Sequence, residues 1–66
     1  MSVAKVTEIT ATSEDSFEDA VRQGIAKAGE TVRNISGAWV KEQNVMIDNG
    51  KITGFRVDLK VTFILE

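Results

Sequence analysis

Asp48-Asn49-Gly50-Lys51 constrains this chain more than any other four residues. Asn-Gly supplies the two positive φ angles that a two-residue type I′ turn requires, and such a turn joins antiparallel strands. The segment beyond the turn alternates. Phe55, Val57, Leu59, Val61, Phe63 and Leu65 fall on one side, and Gly54, Arg56, Asp58, Lys60, Thr62 and Glu66 on the other, with Ile64 the exception. Strand side chains point to opposite faces with period two, so this is a strand with one apolar face. With Asn49 and Gly50 as the loop, the hairpin pairs Ile47 with Ile52, Val45 with Gly54, Gln43 with Arg56, Lys41 with Asp58 and Trp39 with Lys60. Lys41–Asp58 is an opposite-charge pair, and Trp39–Lys60 can form a cation–π contact. This register puts Ala38, Val40, Glu42, Asn44 and Met46 on the inner face. Gly37, Trp39, Lys41 and Gln43 then lie on the outer one.

The apolar strand face needs a cover. Phe17, Ala20, Val21, Gly24, Ile25, Ala28 and Val32 recur at helical spacing and form a single stripe. The expected helix runs from about residue 14 to 33, with Ser13 as N-cap, acidic residues at the positive end of the dipole, and Asn34 at the C-terminus. Glu18 and Arg22 form an i,i+4 pair on its wet face. Upstream, Val3 to Thr10 is rich in β-branched residues and reads as a strand, its two faces mixed. The fold class is therefore α+β: β-α-β-β, a three-stranded antiparallel sheet wrapped around one helix, as a single domain over residues 1–66.

Composition excludes several functions. The 66 residues contain no Cys and no His, with eight Lys plus Arg against ten Asp plus Glu, for a net charge of −2. A thiolate nucleophile, an imidazole base and a conventional zinc site are excluded. The acidic balance argues against a nucleic-acid partner. No apolar run approaches the roughly 20 residues that span a membrane. The N-terminus is too polar for a signal peptide, which predicts a cytoplasmic protein. No G-x-G cluster cradles a phosphate, no serine sits with a base, and no catalytic residue is assigned. Ordering the chain costs on the order of 100 kcal/mol, more than one small core readily offsets without disulfides or zinc. Association with copies of itself is the expected remedy. The single Trp on a strand's outer face fits an interface or a ligand surface.

The order and spacing of several segments resemble the dodecin family. They are Lys5-Val6-Thr7-Glu8-Ile9, then Thr12-Ser13 with Ser16-Phe17-Glu18-Asp19-Ala20-Val21, then Ala26-Lys27-Ala28 and Glu30-Thr31-Val32-Arg33-Asn34. The last is Phe55-Arg56-Val57-Asp58-Leu59-Lys60-Val61-Thr62-Phe63-Ile64-Leu65-Glu66. The resemblance covers residues 5–66. It implies a homododecamer, a hollow shell that binds and stores flavin (riboflavin or FMN) near twofold axes and is not an enzyme.

In flavin-binding dodecins the strand after the helix typically begins Trp-Phe-Glu-Val, and that Trp stacks on the flavin ring. Its position here is Gly37, and Trp39 stands at the Glu position. A Gln that contacts the flavin edge is replaced by Arg56. Residues 37 and 39 share a strand face, so Trp39 points to the same side, about 6.6 Å further along. The expected cofactor site is therefore Trp39 from each partner across a twofold axis, with Arg56 or Gln43 on its rim and Gly37 alongside. The alternative is a dodecin-like shell without flavin that binds calcium or small anions, or is a structural assembly. Its acidic candidates are Glu42, Asp48 and Asp58, with no metal ligand set assigned. Glu42, a charge on the inner face, needs a salt bridge to a neighbouring chain or a metal.

Overall fold

A computed structural model describes residues 3–65. Strand β1 spans Val3–Ser13, helix α1 Phe17–Ala28, strand β2 Ile35–Asp48 and strand β3 Lys51–Leu65. The sheet order is β1-β3-β2, and both pairings are antiparallel. The β-α-β-β expectation holds. Asn49 and Gly50 take φ of 52° and 77°, the left-handed pair that the type I′ turn demands.

The helix is shorter than its apolar stripe implies. It begins at Ser16, whose hydroxyl accepts from the Asp19 amide at 2.9 Å. Ser13, the expected cap, ends β1 instead. It is buried, accepts from the Asp15 amide and donates to the Asp19 carboxylate, so it fixes the turn that enters the helix. The helix gives way at Gly29, a weak helix former followed closely by β-branched Thr31 and Val32. Asn34 does adopt a positive φ of 63°, but at the entrance to β2 and not as a helix cap. The Glu18–Arg22 pair forms on the exposed face.

The core lies between α1 and the β1–β3 half of the sheet. Ala20, Val57, Leu59 and Val61 are fully enclosed, with Ile9, Ala11, Phe17, Val21, Ile25 and Ile35 packed around them. Phe17 meets Phe55 edge to face, with ring centroids 5.2 Å apart. Gly24 lets the helix sit close: a Cβ there would stand 3.1 Å from the Ala11 Cβ and 3.2 Å from a Leu59 methyl. The mixed faces of β1 resolve through its register. Ile9 lies beside Leu59 and Ala11 beside Val57, facing the helix, while Glu8, Thr10 and Thr12 face away.

A helix of 12 residues reaches about 18 Å, and the molecule is 51 Å long. The hairpin therefore overhangs. The helix packs on β1 and β3 and leaves β2 almost bare, with most of its residues exposed.

Candidate ligand-binding face

Three irregularities in the β2–β3 ladder decide which side chains share a face. Near the turn, Ile47 pairs with Ile52 but Met46 with Gly54, which makes Thr53 an extra residue in β3. Lys41 is an extra residue in β2, between the Val40–Leu59 and Glu42–Asp58 pairs, and Ser36 is another between the Ile35–Phe63 and Gly37–Thr62 pairs. Each bulge slips the register by one, and a one-residue slip exchanges the faces.

The expected cross-strand registers Ile47–Ile52 and Trp39–Lys60 form, the second without the expected cation–π contact. The stretch between the two bulges at Lys41 and Thr53 differs: Val45 pairs with Phe55, Gln43 with Val57, Asn44 with Arg56 and Glu42 with Asp58. Glu42, Asn44 and Met46 therefore lie on the helix-free face and not on the inner one. Gln43 moves to the inner side, opposite Val57, and leaves the face that carries Trp39. Glu42 consequently has no need of a partner to offset burial.

The helix-free face reads as rows across the three strands. Thr12, Arg56 and Asn44 form one row, and Thr10, Asp58 and Glu42 the next. Glu8, Lys60 and Trp39 follow, then Val6, Thr62 and Gly37. Trp39 is 62% exposed. A Cβ added at Gly37 would meet nothing within 4 Å, so the position beside the indole is open ground. Arg56 shares this face but stands two rows away, four residues from Lys60 along β3, or roughly 13 Å. Its Nε lies 3.7 Å from Asp58, which also accepts a hydrogen bond of 3.0 Å from Thr10. Lys41 reaches across β3 to the Glu8 carboxylate at 3.4 Å. One subunit thus brings together Trp39 and Gly37, sets Arg56 apart, and removes Gln43.

Sequence reasoning missed the contributions of β1. Thr10 and Glu8 hold the charges of β3 and β2 in place, yet the mixed pattern of β1 gave no sign of which face they occupied. Among the described residues, no three His, Cys, Asp or Glu side chains converge as metal ligands. No helix among them is long and apolar enough to cross a membrane.

The subunit is a β-α-β-β unit with one nearly bare strand and an exposed aromatic, Trp39, on its helix-free face. Comparison with known proteins makes this specific. The family model described as Dodecin matches residues 3–66. The chain is 42% identical over 64 residues to "Calcium dodecin" of Mycobacterium tuberculosis, covering 96% of this chain and 89% of that protein. It is 34% identical to "Dodecin" of Thermus thermophilus, covering 97% and 93%. The dodecin structure from Streptomyces davaonensis superposes with a TM-score of 0.93 at 32% identity, covering 98% and 96%. The chain belongs to the dodecin family.

Proposed function

We propose that this chain is a non-enzymatic binding and storage protein of the cytoplasm. Twelve copies close into a shell that holds flavin, of the riboflavin or FMN type, at the seams between subunits. Trp39 carries the reading. It is a large ring left 62% exposed on β2, with unobstructed space at Gly37 beside it. Aromatic rings stack on flat partners, and an indole in water is an available partner.

The subunit's shape supports assembly. Its accessible surface is 4897 Å², against about 4100 Å² for a compact monomer of this mass. Its radius of gyration is 13.5 Å, against about 10.8 Å for a compact domain of this length. Ile47 and Ile52 are more than half exposed beside the hairpin turn, which suits burial against further copies.

A second observation favours a calcium-binding shell. Glu42 and Asp58 face each other across β2 and β3. Like charges directly opposite are unfavourable unless a cation stands near, and a relative at 42% identity bears the name calcium dodecin. In one subunit Arg56 already lies beside Asp58.

Native mass spectrometry combined with a riboflavin titration separates the readings. The flavin shell gives a twelve-subunit mass with bound flavin and quenching of both Trp39 and flavin emission. No quenching at saturation, together with a melting temperature that rises with calcium, supports the second reading. A stably folded lone subunit at micromolar concentration removes both.

A further inference from the structure

The helix-free face changes character at the row of Trp39. Toward the hairpin tip it carries Lys41, Glu42, Arg56 and Asp58. Toward the other end it carries Val6, Thr62, Gly37, Ala4 and Ile64, none of them charged. Lys60 stands on the boundary, directly across from Trp39 and half-buried.

Two of the three nearby carboxylates are otherwise engaged. Glu8, on the far side of Lys60, is bonded through both oxygens to Lys41 at 3.4 Å. Asp58 lies between Arg56 and Thr10. Glu42 is one row further toward the tip, diagonal to Lys60. Among the described residues no carboxylate forms an ion pair with Lys60.

From this we infer that Lys60 sets the charge of the ligand, and that the site formed by Trp39, Gly37, Thr62 and Lys60 takes a planar aromatic anion. The ring stacks on Trp39 over the open ground at Gly37, and its anionic group meets the Lys60 ammonium. A half-buried cation without a counter-ion gains more from an anion than a solvated one does, because local screening is weaker. This deepens the flavin reading and rests on the same indole.

The test uses the assembled protein and follows the emission of Trp39. Riboflavin, which is neutral, is compared with FMN, which carries a phosphate. 1-Naphthalenesulfonate is compared with uncharged 1-naphthalenemethanol. We expect each anion to bind about three- to tenfold more tightly than its neutral counterpart. The ratio of anion to neutral affinity falls to about one in Lys60→Gln and in high salt. Glu42→Gln, which removes the diagonal carboxylate, strengthens the preference. Equal affinities in the parent protein, or a preference that survives Lys60→Gln, overturns the inference. If neither flavin quenches but the sulfonate still outbinds the alcohol through Lys60, the flavin reading fails and this one stands. If none of the four binds, both fail.

Discussion

β3 and β2 are neighbours of similar length in one sheet, yet one is the most buried element of the molecule and the other is nearly bare. Val57, Leu59 and Val61 of β3 are at most 1% exposed. Their cross-strand neighbours Gln43, Val40 and Ala38 in β2 are all exposed. Both strands have hydrogen-bonded backbones and both carry β-branched side chains. The difference is reach. The helix covers β1 and β3, so β2 has little apolar cover within its own chain beyond Ile35, which packs on the core. Burial, and not strand character, turns an alternating pattern into stability. A strand without cover is also where bulges are cheapest, and β2 has two of them.

Substitutions on the two strands test this contrast. The largest effect belongs to Leu59→Ala, which removes a fully enclosed side chain. Its expected cost is about 2–5 kcal/mol in urea unfolding at fixed protein concentration. Val40→Ala, directly across the ladder and 50% exposed, is expected to cost about 1 kcal/mol or less. Losses of equal size would break the comparison by showing that a neighbouring copy covers Val40 as thoroughly as the helix covers Leu59.

Glycines sharpen the same contrast at intermediate size. Gly24→Val pushes branched methyls into Ala11 and Leu59, already 3.1–3.2 Å from a Cβ, and is expected to cost about 1–3 kcal/mol. Gly37→Val on β2 enters open space and is expected to stay within about 0.5 kcal/mol, read from the same urea midpoints. A large loss at Gly37 would place another subunit against it.

The smallest effect is that of Trp39→Phe. An exposed ring contributes little to the fold, so unfolding should shift by no more than about 0.5 kcal/mol while flavin quenching weakens. A change in native mass in this variant would reassign Trp39 from ligand surface to subunit contact.

Much of the fold is legible in the residues. Asn49-Gly50 specifies its turn because few residues tolerate two consecutive positive φ angles. The alternation from Phe55 to Leu65 names the buried face of β3. The helix stripe marks the contact surface correctly but overstates the helix, because periodicity continues past Gly29 while the backbone does not. Ser13 and Ser16 are both competent caps. Which one serves depends on β1 running as far as Ser13, a pairing with Phe55 that no local pattern encodes. Of the candidate residues, only the strand faces can be compared. Trp39 and Gly37 share a face with period two and no bulge between them. Gln43 was misplaced because Lys41 intervenes as an unpaired residue.

Chain chemistry alone settled the element order, the turn and the inward stripe of β3, since each depends on torsional preference or on period within a few residues. Tertiary structure decided the rest: the slip at Lys41 that sends Glu42 outward and Gln43 inward, the separation of Arg56 from Trp39, and the absence of an ion pair to Lys60 among the described residues. Those outcomes depend on which partner atoms a third strand and a short helix bring within reach, and that distance in space is not written in the spacing along the chain.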